Sequence, residues 1–105
     1  MIRYERRPAI DIDELNRLFA AAWGAPKPRY ERVFAHSFTW VGARDGPDLV
    51  GFVNVAWDGD VHFFLLDTTV HPDHQHRGIG RGLVDEAIDA AAEEGGSTST
   101  PTRSS

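Results

Sequence analysis

The most constraining feature of the sequence is a fully apolar stretch, residues 63–66, that leads through a glycine-containing loop into a helical pattern. A strand with apolar side chains on both faces belongs in the centre of a sheet, with layers above and below it. Beyond Gly78, apolar residues recur at helical spacing at positions 83, 84, 87, 88 and 91. This order predicts a strand over residues 61–70, a short loop, and a helix that forms one covering layer.

The loop between the predicted strand and helix has the composition of an anion-binding turn. The first turn of a helix leaves backbone N–H groups without partners, and the helix dipole makes that end positive. Gly78 and Gly80 would let a ligand approach the backbone closely. Arg77 and Arg81 would add positive charge. The loop therefore predicts a site for a phosphate or pyrophosphate group.

A strand and two helices are predicted before this unit. Residues 2–9 have the short apolar pattern of a first strand. Asp11 and Glu14 are spaced as a capping box, and an apolar stripe at helical spacing follows them. This pattern predicts a helix that ends at Gly24, and a second, short helix follows over residues 30–34.

A meander of three strands is predicted next, over residues 38–43, 49–57 and 61–70. Turn-forming residues at 45–48 and 58–60 separate the three strands. Alternation along the second strand sorts its side chains into two faces, with Val50, Phe52 and Ala56 on one face and Val53, Val55 and Trp57 on the other.

The composition changes after residue 94. Gly95 and Gly96 can cap the last helix, and residues 97–105 are almost entirely Ser and Thr. Such a segment has too little apolar surface to pack, so a domain over residues 1–94 and a disordered tail over 95–105 are expected. The tail also has the composition expected of a GC-rich gene translated out of frame. A natural or engineered truncation is the competing explanation for its composition.

Bulk composition excludes several functional classes. The chain has no cysteine, which excludes disulfides, thiol catalysis and cysteine-ligated zinc. Its net charge of −5 argues against general nucleic-acid binding, which requires a basic surface. No apolar run approaches the ~18 residues of a membrane span, and the first residues lack a signal-peptide pattern. A soluble, cytoplasmic protein without membrane or nucleic-acid partners is expected.

The loop and its context resemble a known family. The six residues from Gln75 to Gly80 match the acyl-CoA signature of the GNAT superfamily of N-acyltransferases, which is Gln or Arg, two residues, Gly, one residue, and Gly or Ala. In that family the signature follows the fourth strand and begins the third helix, and residues 1–94 reproduce this order. The resemblance implies an α/β (α+β) fold with a mixed, mostly antiparallel sheet flanked by helices. The later strands and the fourth helix of that family are missing from the predicted pattern, so the domain looks truncated.

The resemblance also implies a function and a cosubstrate. Members of the family transfer an acetyl group from acetyl-CoA to an amine, here a primary amine of a small molecule or a protein. Backbone N–H groups of the signature would hold the CoA pyrophosphate, and backbone groups at the end of the fourth strand would pair with the pantetheine arm. The implied cofactor-binding residues are Thr68, Val70, Gln75, His76, Arg77, Gly78, Ile79, Gly80 and Arg81.

The catalytic half of the site is less complete by the same resemblance. Several members have a Glu inside the fourth strand that acts as the general base, and the matching position here is Phe64. His62 and Asp67 are the remaining candidates for a catalytic base on this strand. A water relay, or an amine that arrives neutral, is an alternative to either side chain.

Three other readings remain open. A truncated domain of this kind would be a non-catalytic CoA-binding or interaction domain. His71, His74 and His76, together with Asp73, have a spacing that could form a small metal site. The anion-binding turn explains the same loop, so no metal ligand is assigned. An apolar fourth strand without a neighbour on one edge would favour a homo-oligomer that covers this edge.

Overall fold

The computed structural model describes residues 2–27, 30–57, 62–95 and 102–103. In chain order the elements are β1 (Ile2–Arg6), α1 (Ile12–Trp23), α2 (Tyr30–His36), β2 (Thr39–Asp45), β3 (Asp48–Trp57), β4 (Phe63–Val70), α3 (Ile79–Gly95) and β5 (Thr102–Arg103). A single 3-10 turn, Pro72–His74, lies between β4 and α3. None of the helices in the described ranges is both long and apolar enough to cross a membrane.

The five strands form one sheet in the order β1-β2-β3-β4-β5. Neighbouring strands from β1 to β4 are antiparallel, and β5 pairs with β4 in parallel. One face of the sheet is covered by α3 and the other by α1 and α2. The predicted fold class, a mostly antiparallel mixed sheet flanked by helices, is confirmed.

Two apolar clusters hold the helices to the sheet. The larger lies under α3, where Leu83 and Ala87 pack onto Val41, Val53 and other buried strand residues. The smaller lies under α1 and α2. Its buried members are Leu15, Leu18, Phe19, Tyr30, Leu49 and Phe52. Burying such side chains is the main favourable contribution to folding, at about 1.5–3 kcal/mol each.

The first helix begins and ends where the sequence predicts. The side chain of Asp11 accepts a hydrogen bond from the backbone N–H of Asp13 at 2.8 Å, and Gly24 ends the helix with a left-handed φ of 80°. The predicted capping box is only half formed, because the side chain of Glu14 pairs with Arg44 at 2.6 Å. Glu14 therefore ties α1 to the sheet.

The first strand is shorter than the predicted span of residues 2–9. It ends at Arg6 because Arg7 has a positive φ of 48°, which turns the chain away from the sheet. Pro8 then follows, and its lack of an N–H prevents further pairing.

The predicted faces of β3 are wrong at Val50. A bulge places Arg44 opposite Leu49 while Ala43 stays opposite Gly51, so Val50 is an extra residue on β3. An extra residue reverses the alternation on one side of it. Val50 therefore packs under α3 together with Val53, while Leu49 packs with Phe52 on the opposite face.

The end of the chain also differs from the prediction. No strand is expected after α3 on sequence grounds, yet Thr102–Arg103 pair with Phe64 and Leu65 of β4. Backbone pairing explains the difference, because a strand can join an open sheet edge without apolar side chains. The remaining residues of the predicted tail, 96–101 and 104–105, and the predicted turn at residues 58–60 lie outside the described residues.

Candidate functional site

The loop between β4 and α3 is held by short-range hydrogen bonds. The ring Nδ1 of His71 accepts from the backbone N–H of Asp73 at 3.1 Å, which caps the 3-10 turn. The amide Nε2 of Gln75 donates to the carbonyl oxygen of Val70 at 3.4 Å and ties the loop to the end of β4. His76 and Gly78 then have positive φ angles of 66° and 78°, which turn the chain into α3.

This turn leaves a row of backbone donors without protein partners. Within the described part of the chain, the N–H groups of residues 76–81 donate no hydrogen bond to a backbone or side-chain acceptor. The N–H of Gly82 is the first to be satisfied, by the carbonyl oxygen of Gly78 at 3.0 Å. Unpaired donors at the positive end of a 17-residue helix are a binding surface for a phosphate or another anion.

A groove passes directly over these donors. Its first part has a volume of 380 Å³, and its lining residues are Ala22, Trp23, Thr68, Thr69, Val70, His74, Gln75, His76, Gly78, Ile79 and Gly80. Its second part has a volume of 540 Å³ and is lined by Thr68, Gly80, Arg81, Val84 and Asp85. Because Thr68 and Gly80 line both parts, the groove runs from the end of α1, across β4, to the flank of α3.

The glycines around the groove have different roles. Gly78 needs its positive φ, and a Cβ there would meet nothing within 4 Å. A Cβ on Gly80 would meet only a methyl group of Val70, at 3.7 Å. A Cβ on Gly82 would lie 2.2 Å from the hydroxyl of Tyr4, so Gly82 is required by packing. The same packing partially buries Tyr4, which raises the pKa of its hydroxyl.

The strand that borders the groove is bulged at its last residues. Leu66 pairs with Asn54 and Thr69 pairs with Phe52, so two residues of β4 face only one residue of β3. Asp67 accommodates this bulge with a positive φ of 57°. The hydroxyl of Thr69 donates to the carbonyl oxygen of Asp67 at 2.7 Å and holds the bulge closed. The bulge takes backbone groups out of the ladder next to Thr68, which lines the groove.

Two donors from the layer that contains α1 and α2 hold the side chain of Asp67. Lys27 Nζ lies 2.7 Å from Oδ1, and the hydroxyl of Tyr30 donates to Oδ2 at 2.9 Å. Burial raises the pKa of Tyr30 well above its usual value, and the negative charge of Asp67 raises it further. Tyr30 therefore stays protonated and fixes the orientation of the carboxylate.

Most of the predicted cofactor-binding residues come together in the structure. Seven of them line the first part of the groove, namely Thr68, Val70, Gln75, His76, Gly78, Ile79 and Gly80. Arg81 lines the second part, with 87% of its side chain exposed and an ion pair to Asp85 at 3.9 Å. Arg77 is exposed on the loop beside the groove and lines neither part.

The two candidate bases lie in different places. Asp67 sits at the bulge, one residue from the groove-lining Thr68. His62 is exposed and precedes the opposite end of β4. At about 3.3 Å of rise per residue, six positions separate His62 from Thr68 by roughly 20 Å. Only Asp67 is therefore near the groove.

Three residues of the site are not visible as functional residues in the sequence: Trp23, Lys27 and Tyr30. Trp23 stacks on Phe19 with ring centroids 4.8 Å apart, and it is 43% exposed where it lines the groove. An exposed aromatic residue at the end of an amphipathic helix was the available signal. Lys27 and Tyr30 reach Asp67 only through the fold, from 40 and 37 positions away.

Two of the three histidines of the loop, His71 and His74, are engaged in other contacts. His71 caps the 3-10 turn, and His74 Nε2 lies 3.3 Å from Asp45 Oδ2. The hydrogen bond with His74 is the main cause that lowers the pKa of Asp45. In the ranges that the structure describes, no group of three or more His, Asp or Glu side chains is arranged to hold a metal ion.

Comparison with known proteins finds one family model that matches most of the chain. The family model described as the acetyltransferase (GNAT) family matches residues 11–103. No curated protein matches the chain. A GNAT family acetyltransferase from Streptococcus pneumoniae is 26% identical, with a TM-score of 0.82, over 100% of this chain and 76% of its own.

Two further solved structures share the fold at lower identity. The ribosomal-protein-S18-alanine N-acetyltransferase from Escherichia coli is 21% identical, with a TM-score of 0.72, over 90% of this chain and 62% of its own. A GNAT family acetyltransferase from Brucella melitensis, solved in complex with acetyl-CoA, is 19% identical, with a TM-score of 0.72, over 90% of this chain and 71% of its own.

Proposed function

Because the chain belongs to the GNAT family of acetyltransferases, we propose that it transfers the acetyl group of acetyl-CoA to a primary amine of a small molecule or a protein. The observation that carries the proposal is the row of unpaired N–H groups over residues 76–81, which opens onto a groove that reaches the bulge of β4. One end of this groove suits an anion and the other exposes backbone groups to a reacting carbonyl. A cytoplasmic location is part of the same proposal.

The proposed cosubstrate would bind along the whole groove. Its pyrophosphate would accept hydrogen bonds from the N–H groups of residues 76–80, with Arg77 and Arg81 supplying positive charge. The amides of its pantetheine arm would pair with the backbone near Thr68 and Val70. In the described residues β5 pairs only with Phe64 and Leu65, so the outer edge of β4 beyond Leu65 is available for this pairing.

The proposed reaction is acyl transfer from sulfur to nitrogen. The neutral amine attacks the thioester carbonyl carbon, the C–N bond forms, and the C–S bond then breaks as the thiolate of CoA leaves and takes up a proton. Backbone N–H groups at the bulge would stabilise the developing oxyanion. Of the two candidate bases, Asp67 is the better placed to receive the amine proton, because His62 lies roughly 20 Å along β4 from Thr68.

A second candidate function is binding of CoA without turnover. It is favoured by the contacts of Asp67, whose two carboxylate oxygens already accept hydrogen bonds from Lys27 and Tyr30. A carboxylate that is already stabilised by two protein donors is a weaker base for a substrate proton. Acetyl-CoA turnover separates the two functions.

The proposed function is tested by titrating the chain with acetyl-CoA and following thermal unfolding. A ligand at one hundred times its dissociation constant stabilises a protein by about 2.7 kcal/mol, which raises the unfolding temperature measurably. Release of free thiol over a panel of primary amines then tests turnover. Stabilisation with no thiol release for any amine would support CoA binding alone, and no stabilisation would contradict both candidate functions.

A matched pair of arginine variants tests where the cosubstrate binds. Arg77→Ala should weaken acetyl-CoA binding several-fold, because it removes a charge beside the proposed pyrophosphate position. Arg32→Ala makes the same charge change on exposed α2 and should leave binding unchanged. Equal effects of the two variants would contradict the proposed position.

Self-association through the outer edge of β4 is also proposed, because an unpaired strand edge can pair with a second copy. Sedimentation velocity tests it. A dimer that dissociates when acetyl-CoA is added would indicate that the partner and the pantetheine arm compete for the same edge. A monomer at all concentrations would overturn the proposed self-association.

A further inference from the structure

The chain has eleven Lys and Arg residues, and only one of them, Lys27, is a lysine. This single side-chain amine lies beside the groove, in the loop between α1 and α2. Its Nζ is 2.7 Å from Asp67 Oδ1, 5.0 Å from the ring centroid of Trp23 and 5.9 Å from that of Phe19. A carboxylate and two aromatic rings together form a small box that holds a primary ammonium group.

Each part of the box is held in position by a separate contact. The backbone N–H of Lys27 donates to the side-chain oxygen of Asn16 at 2.9 Å, which anchors the loop. The hydroxyl of Tyr30, which is almost fully buried, holds the second oxygen of Asp67. Trp23 is held by its stack on Phe19.

The box adjoins the groove on two sides. Trp23 is itself a lining residue of the first part, and Asp67 directly precedes Thr68, which lines both parts. Consecutive Cα atoms are about 3.8 Å apart, so Lys27 Nζ lies within about 10 Å of the Thr68 backbone. This is the strand end at which the proposed function places the acyl carbonyl.

We propose that Lys27 is an acetylation site of the chain itself, modified by acetyl-CoA bound in its own groove. The inference rests on the proposed function, because it requires the thioester to lie at the bulge of β4. The ammonium gives one proton to Asp67 through the existing hydrogen bond, and Asp67 releases it to solvent. The amine attacks the thioester carbon, and its second proton ends on the sulfur of CoA as the C–S bond breaks.

Acetylation would change the site as well as the lysine. The product amide carries no charge and cannot form an ion pair with Asp67. One carboxylate oxygen would then be free to receive a proton from an external amine that enters the same box. Modification of Lys27 would thus remove the contact that occupies the proposed base.

The inference is tested by incubating the full chain with acetyl-CoA and locating acetyl groups by digestion and mass spectrometry. We expect one acetyl group on Lys27, formed at a rate that does not depend on protein concentration, because the reaction is intramolecular. The α-amino group of the chain serves as an internal reference, since non-enzymatic acylation would modify it as well. The chain unfolded in urea gives the background rate for Lys27.

Two variants separate chemistry from folding. Asp67→Asn removes the proton acceptor but tolerates the positive φ at this position, so it should fold and lose at least tenfold in the rate of Lys27 acetylation. Arg32→Ala removes a charge from the exposed surface of α2 and leaves every contact of the box in place, so acetylation of Lys27 should persist.

The outcomes distinguish this inference from the function on which it rests. Stabilisation by acetyl-CoA with no acetyl group on Lys27 would overturn the inference alone. Acetylation of Lys27 at equal rates in the folded wild-type chain, the Asp67→Asn variant and the unfolded chain would also overturn it. A chain that acetyl-CoA does not stabilise would overturn both the inference and the proposed function.

Discussion

Glycines lie on both sides of the start of α3, and those on the two sides have different roles. On the sheet side, Gly82 lies directly under Tyr4, and Gly51 of β3 lets the helix approach the sheet. On the groove side, an added Cβ would meet nothing at Gly78 and only an ordinary contact at Gly80. The glycines of the sheet side are needed for packing, whereas those of the groove side are needed for backbone conformation and access.

Glycines close together in one motif can therefore be replaced with very different results. Gly80 and Gly82 are two positions apart, which is just over half a turn in a helix of 3.6 residues per turn, so they face opposite sides. Stability should therefore depend on the sheet side, and the proposed binding of acetyl-CoA on the groove side. Four substitutions test this division.

The largest effect is expected for Gly51→Val. Its Cβ alone would lie 2.9 Å from a methyl group of Leu83 and 3.1 Å from one of Ile79, and the added methyl groups have no space. Overpacking of this kind should lower the free energy of unfolding by about 3 kcal/mol. Urea denaturation measures it. In a Leu83→Ala background the same substitution should cost less, and a Gly51→Val variant as stable as wild type would refute the close approach of α3.

Gly82→Ala should have the next largest effect. The overlap with Tyr4 costs about 1–3 kcal/mol, and the better helix propensity of Ala offsets it by up to about 1 kcal/mol. In a Tyr4→Ala background the overlap is gone, so the same substitution should become stabilising. A double-mutant cycle by chemical denaturation measures the coupling, and an equal cost in both backgrounds would be the contrary result.

Gly78→Ala should cost about 1 kcal/mol of stability, because a residue with a Cβ is strained at a φ of 78°. No atom lies close enough for a clash, so the cost is conformational alone. Gly78→Asn is the matched control, since Asn tolerates this conformation better and should cost less. Denaturation of both variants tests the point, and a larger loss for Asn would argue against it.

Gly80→Ala should change stability least, by about 0.5 kcal/mol or less in either direction, because its only new contact, with Val70 at 3.7 Å, is an ordinary one. Under the proposed function its Cβ would occupy space in front of the unpaired donors. Affinity for acetyl-CoA should then fall about tenfold, which corresponds to about 1.4 kcal/mol. Unchanged affinity in a calorimetric titration would remove Gly80 from the binding site.

Much of the fold and the loop of the site could be predicted because their signals are local. The strand and helix order follows from short periodic patterns. The candidate binding loop follows from residues 75–80, where the glycine spacing and the position after a strand carry the information. The structure accordingly places seven of the nine predicted cofactor-binding residues in the first part of the groove.

The unpredicted parts depend on contacts that local patterns do not encode. The bulge at Val50 reverses a face because of pairing with β2, and the bulge at Asp67 arises from pairing with β3. The box around Lys27 needs Asp67 to arrive from 40 positions away. No spacing in the sequence signals such a meeting, so the surroundings of Lys27 can be identified only from the three-dimensional structure.

The position of β1 has a consequence for the order in which the chain assembles. Arg6 of β1 binds Glu86 of α3 across 80 positions, close to the contact between Tyr4 and Gly82. The hairpins from β2 to β4 close much shorter loops and should form earlier, since long loops are slower to close. The contact between β1 and α3 should therefore form after those hairpins. A ligand that binds between β4 and α3 would stabilise chains in which α3 is already docked on the sheet.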